Sequence, residues 1–264
     1  MAAVALPRIP PRLRRAVVLP AAILVVWAFV AHHRFVDPNL IPSPRTVAST
    51  FRSEVLTAEY AACVAASLKR TFAGYVIAVA VGIAIGTLLG VSRWAERLVA
   101  PTFHAYRQIA PFAWIPLISA WVGGGEPCKI AFIAVASLAP VVFNTFQGVR
   151  AVAAEHVELA RVLEVRRLRF AAGIVLPSAS AQILTGLHLA LVTSWLATFG
   201  SEFFLQISPG VSRILIEGRA LGRMDLVVVG VAVIGAIGFA LNAGIAAVER
   251  WVLRWRPAQV AEHA

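Results

Sequence analysis

From Thr71 to Val91 the chain carries no charged residue, and apolar side chains fill most of the stretch. A run of that length suits a helix crossing the roughly 30 Å hydrocarbon core of a bilayer, which takes about 20 residues. Similar stretches recur at about Val17 to Ala31, Phe103 to Val122, Lys129 to Phe146, Ser180 to Phe204 and Leu226 to Val248. With 59% hydrophobic and 14% charged residues, the chain belongs to the membrane class. Inside lipid every backbone polar group needs an internal partner, which leaves helices and closed barrels. The uninterrupted apolar runs select helices. The expected fold is an all-α integral membrane protein with about six transmembrane helices.

The order of segments follows. Residues 1–16 form a basic N-terminus broken by Pro7, Pro10 and Pro11. The apolar run 17–31 has no clear small-x-small cleavage site and reads as an uncleaved first span. Residues 32–66 form an external linker, with a short surface helix expected over Pro44 to Leu56. The transmembrane core extends over 67–250 and includes a polar loop at 150–179; residues 251–264 are a tail. Within the second span, from about Ser67 to Val91, Gly82, Gly86 and Gly90 recur at four-residue spacing behind Gly74, a smooth face for close helix contact. Lys69 and Arg70 at its end are placed to snorkel. Ser92 to Arg97 reads as a short polar loop. Pro111 and Pro116 interrupt the third span, and Pro209 to Asp225 reads as another polar loop.

Basic residues orient the spans. Of the 24 lysines and arginines, 15 fall on the N-terminus, the segment around Arg93 to Arg107, the 150–179 loop and the C-terminus. The positive-inside rule then puts both termini and the 150–179 loop in the cytoplasm. A net charge of +11 is thereby explained by topology and lipid headgroups, since no basic groove interleaved with aromatics suggests nucleic acid. Two cysteines, Cys63 and Cys128, provide no disulfide framework and read as unpaired small apolar residues, although one bridge remains open.

The 150–179 loop is the longest polar island, reading AAEHVELARVLEVRRLRFAAGIVLP from Ala153 to Pro177. Leu159, Val162 and Leu163 share one face of a short amphipathic helix, flanked by Glu158, Arg161 and Glu164. Anionic lipid would be repelled by these glutamates, which favours docking into a groove of a soluble partner. Leu159, Ala160, Val162 and Leu163 are the expected contacts, with Glu158 and Arg161 fixing register.

That loop resembles the cytoplasmic coupling loop, the EAA loop, of binding-protein-dependent ABC importer permeases. Glu158, Leu159, Ala160 and Arg161 match its first part, and Ile174, Leu176 and Pro177 its end. Glu164 stands where the family has a Gly, a position where a left-handed cap disfavours Glu by roughly 1 kcal/mol or more. IPSPRTV from Ile41, PFAWIPLISAWVGGGEPCKI from Pro111, PVVFNTFQGVR from Pro140 and ILTGLHLAL from Ile183 extend the resemblance. They are similar to the sulfonate, taurine and nitrate permeases, a subgroup that also includes permeases for pyrimidine precursors. The resemblance implies a permease subunit in a bacterial inner membrane that forms a solute pathway by alternating access. It further implies a second permease copy, as a homodimer, two cytoplasmic ABC ATPase subunits and an extracytoplasmic substrate-binding protein. No cofactor is expected in this chain; ATP and Mg would sit on the ATPase.

The chain's own residues agree that it is not an enzyme. Its two lysines, Lys69 and Lys129, follow Leu68 and Cys128, so neither is the lysine of a phosphate-cradling G-x-x-x-x-G-K-[ST] loop. Six histidines form no H-E-x-x-H pattern. A secondary transporter or channel driven by an ion gradient is the alternative, but it calls for intramembrane carboxylates or inverted repeats. Candidate pathway residues are Glu202, His188 and Asn144. Against this, Glu202 sits near a span end, which favours a solvated place at the outer mouth. His188, Asn144 and Gln147 have interhelical hydrogen bonding as their default. Trp114, Trp121, Trp195 and Trp251 read as interfacial or packing aromatics.

Overall fold

The structure is a computed structural model that describes residues 11–33, 35–37, 40–151, 173, 175–206 and 208–255. Every regular element among them is helical. In chain order the α-helices are α1 (Pro11–His32), α2 (Pro44–Thr50), α3 (Ala58–Val91), α4 (Arg93–Gln108), α5 (Ile115–Val122), α6 (Glu126–Arg150), α7 (Leu176–Phe204), α8 (Arg213–Ala220) and α9 (Met224–Val252). Four stretches are long and apolar enough to cross a membrane: Ala58–Val91, Glu126–Arg150, Pro177–Phe204 and Met224–Val252. Val18–His32 and Pro111–Val122 are shorter apolar helices. The chain divides into two compact units, one of residues 1–61 and 213–232, the other of 62–212 and 233–264.

In the first unit, the IPSPRTV motif builds a helix start. The Ser43 hydroxyl accepts from the Thr46 amide at 3.2 Å and Pro44 takes the first turn, where a missing N–H costs nothing. Within the 44–56 stretch the chain is therefore helical, as α2 followed by a π-helical turn at Phe51–Val55. Thr50 donates to Asp225 at 2.7 Å, and Asp225 lies in the first turn of α9, where a negative charge is favoured. The expected polar loop before α9 instead contains α8. An Arg213–Glu217 pair at i,i+4 (2.8 Å) supports it, and Gly222, with φ +67°, follows its end. Hydrogen bonds from Arg213 to Glu217 and Glu59 hold its guanidinium pKa above the ordinary value.

In the second unit, the glycines of α3 lie against α6. A Cβ placed on Gly74, Gly82, Gly86 or Gly90 would come within 2.4–2.7 Å of Ile133, Val141, Thr145 or Val149 respectively. The partner numbers rise together, so α3 and α6 run parallel. The segment between them must return, and it does so along α6. Glu96 pairs with Arg150, Arg107 lies over the Phe143 ring at 4.0 Å, and Tyr106 donates to the Val135 carbonyl. Ile115 and Ile118 then pack with Cys128, Phe132, Ile133, Ala136 and Ala197.

This return differs from the expected third span in two respects. Ser92 to Arg97 is no loop: the Ser92 hydroxyl caps α4, accepting from the Ala95 amide at 3.3 Å, so the helix begins at Arg93. The run is then broken at Ile109 and Ala110, ahead of a 3-10 turn at Pro111–Trp114, and α5 follows. Pro111 opens that turn and Pro116 sits in the first turn of α5, both positions where proline fits.

Helix α7 packs antiparallel to α6. Gly148 faces Ala179 and Gln182, Asn144 faces Gly186, and Ser137 bonds Ser194 at 2.7 Å. It is also antiparallel to α3, with Thr71 and Thr198 hydroxyls at 2.8 Å. Hydroxyl pairs of this kind satisfy polar groups between helices where lipid offers no partner.

Candidate functional site

One end of the second unit gathers the first half of α3, the start of α6, the end of α7 and the chain that follows it, and it holds a cluster of charged side chains. Arg70 reaches it from α3, Glu126 and Lys129 from the first turns of α6, and Glu202 from the last turn of α7. Ser67, one turn before Thr71 on the packed face of α3, points the same way.

Glu202 is the hub. It is only 2% exposed. One carboxylate oxygen accepts from Ser67 Oγ and, at 2.7 Å, from Arg70 Nη1. The other accepts from Ser212 Oγ at 2.6 Å. Gly210 has no room for a side chain, because a Cβ there would lie 2.2 Å from this carboxylate. A solvated place for Glu202 is therefore ruled out: the chain after α7 folds back over it, and the Val211 amide donates to Ser67 Oγ at 2.8 Å.

Arg70 turns its other nitrogens toward Glu126. Nε donates to Oε2, and Nη2 donates to Oε1 at 2.7 Å. Nη2 also reaches the Pro209 carbonyl at 3.1 Å. Arg70 therefore does not snorkel; at 4% exposure it points into the bundle, whereas Lys69 is exposed. Lys129, fully buried, donates to the Ser208 carbonyl at 3.2 Å and its hydroxyl at 2.9 Å. Ser208 Oγ in turn donates to Glu126. The helical spacing of Ser67, Thr71 and Gly74 marks the packed face on which Arg70 borders, and that was the available signal. Glu126 and Lys129, one turn apart, were recognisable only with α6 in place.

His188 occupies a different place, between α7 and α9. Its Nε2 lies 2.7 Å from Asn242 Oδ1 and its Nδ1 lies 3.2 Å from Glu249 Oε2. This is an interhelical link. Asn144 has the same character: Gln182 Nε2 donates to its Oδ1 at 3.1 Å, and its own Nδ2 donates to the Pro140 carbonyl at 2.8 Å. Trp195 is a packing aromatic, donating to the Ile234 carbonyl at 3.2 Å against Gly238. Cys63 and Cys128 are buried free thiols. Glu158, Leu159, Ala160, Arg161, Val162, Leu163 and Glu164 lie outside the described residues. Among the described residues no cluster of His, Cys, Asp and Glu could hold a metal ion.

Comparison with known proteins gives this arrangement its context. Residues 78–254 match the family model for the binding-protein-dependent transport system inner membrane component. The putative aliphatic sulfonates transport permease protein SsuC of Bacillus subtilis (strain 168) is 30% identical over 242 residues, covering 92% of this chain and 87% of SsuC. The taurine transport system permease protein TauC of Escherichia coli (strain K12) is 30% identical over 240 residues, covering 89% and 87%. The bicarbonate transport system permease protein CmpB of Synechococcus elongatus is 32% identical over 189 residues, covering 72% and 68%. In fold, the chain is similar to a structure of the inward-facing MetNI methionine ABC transporter, with TM-score 0.60, 18% identity and coverage of 74% of this chain and 98% of that one. The chain belongs to the family of binding-protein-dependent transport system inner membrane components, and is a permease of the ABC importer class rather than an enzyme.

Proposed function

We propose that this permease imports a small solute carrying an oxyanion group, of the sulfonate, taurine, nitrate or bicarbonate kind. The observation that carries this reading is the match to an aliphatic sulfonate permease over 92% of the chain. Nitrate and bicarbonate permeases match as well. These solutes differ in size but share an oxyanion, which argues against a pyrimidine precursor.

The transport unit is two copies of this chain, two cytoplasmic ABC ATPase subunits and an extracytoplasmic binding protein. ATP and Mg belong to the ATPase. The chain crosses the bacterial inner membrane about six times with both termini in the cytoplasm. The parallel packing of α3 and α6 supports this topology, because two parallel neighbours need the 92–125 segment to cross back between them. The coupling contact is the Glu158–Glu164 segment, with the apolar stripe of Leu159, Val162 and Leu163 laid into a groove of the ATPase. ATP-driven closure of the ATPases then moves these helices and re-tilts the spans.

Uptake of radiolabelled taurine, nitrate and bicarbonate into proteoliposomes holding the whole assembly tests the solute class. Uptake of at least one that requires ATP and the binding protein is the expected result. ATP-dependent uptake confined to an uncharged pyrimidine contradicts it.

A further inference from the structure

We propose that Arg70, Lys129 and Ser208 form a seat for an oxyanion, and that Glu126 occupies this seat as a displaceable stand-in. For the identity of the ligand the proposal rests on the oxyanion-importer reading; the geometry stands apart from it.

The buried charges do not balance without Glu126. Arg70 and Lys129 are buried cations, at 4% and 0% exposure, and Glu202 is the buried anion among them, at 2%. One positive charge is left over. A buried, uncompensated charge is costly, so an anion must be supplied. Glu126 supplies it from the rim, with its side chain 47% exposed while that of its partner Arg70 is 5% exposed. The cations are fixed and the anion sits at the water's edge.

The seat's donors suit any carboxylate-like group. Arg70 offers Nε and Nη2 as a planar fork, here taken by both oxygens of Glu126. That fork matches the paired oxygens of a carboxylate, and nitrate, bicarbonate and sulfonate each present such a pair. Ser208 Oγ adds a third donor. Lys129 makes both of its hydrogen bonds among the described residues to Ser208, leaving one N–H for an entering oxygen. Glu126 follows Gly123 and Gly125, at φ +81° and +95°, with open space around Gly123.

A self-occupied seat lowers apparent affinity by the fraction of time it is free. The test uses the purified full-length permease in lipid nanodiscs, without ATPase or binding protein. Wild type and Glu126→Gln are titrated with nitrate, methanesulfonate and bicarbonate, with chloride as the control, following thermal unfolding. Glu126→Gln should bind at least one oxyanion about tenfold more tightly than wild type, and Lys129→Met added to it should remove the gain. A Glu126→Gln protein that folds only when an oxyanion is present also supports the seat. If the variant is folded and responds to no oxyanion beyond chloride, or is unfolded and rescued by none of them, Glu126 is a fixed structural counter-ion and the seat does not exist. Since no ATPase takes part, a negative result here leaves the importer reading standing, and a missing ATPase partner leaves the seat standing.

Discussion

Glu202 of α7 and Arg70 of α3 meet at 2.7 Å with side chains only 1% and 5% exposed, so the pair is sealed from water. Two long apolar helices are thus joined through a charge pair rather than through packing alone. Taking two charges out of water is expensive, and their attraction offsets it only if the remaining lone pairs and protons are also met. Here they are, by Ser67, Ser212, Glu126 and the Pro209 carbonyl.

Breaking that pair from one side leaves the other buried charge without its direct partner. Glu202→Leu or Arg70→Leu should each destabilise the protein by about 3–5 kcal/mol. The double variant Arg70→Leu/Glu202→Leu should lose clearly less than the sum of the two, measured by unfolding in detergent. Simple additivity contradicts a direct pairing.

The α3–α6 contact makes a sharper distinction between glycines. Gly86→Ala brings a methyl to within 2.6 Å of Thr145 Cβ and 2.7 Å of the Val142 carbonyl, neither of which can swing aside freely. A loss of about 1–3 kcal/mol is expected. Gly235→Ala in α9 meets nothing within 4 Å and should stay within about 0.5 kcal/mol of wild type or be slightly more stable. Equal thermal shifts for the two contradict the close α3–α6 contact.

The His188 link between α7 and α9 should show as coupling. A double-mutant cycle with His188→Ala and Asn242→Ala should give an interaction of about 0.6–2 kcal/mol, the range for hydrogen bonds between membrane helices. A value near zero, read from the same unfolding curves, removes the link.

Cys63 and Cys128 are 5% and 0% exposed. Neither thiol should react with a bulky maleimide in the native protein, and both should react after denaturation without prior reduction. Mass spectrometry of labelled protein reads both results.

Much of the fold is legible in the sequence because lipid imposes one rule on every span. The apolar runs at 180–204 and 226–248 lie within α7 and α9, and the four-residue glycine spacing marks the face that meets α6. Helix ends were harder to place. Ser92 and Arg213 belong to polar segments, but a capping hydroxyl and an i,i+4 ion pair turn both into helices, signals that composition alone hides. The buried charge cluster was legible only in part. Glu202 stands out as an acidic residue near a span end, but its burial depends on the chain at Ser208 to Ser212 folding back over it. Arg70 and Lys69 are neighbours of like charge, and only the helix face separates the exposed one from the buried one.

The central claim is that this chain is the permease of an ATP-driven importer. The most direct measurement is ATPase activity in liposomes holding the permease with its ATPase and binding protein, for wild type and for Leu159→Asp. ATPase should co-purify with wild type, be stimulated by solute-loaded binding protein, and be lost with Leu159→Asp. No association with wild type, and identical behaviour of the variant, contradicts it.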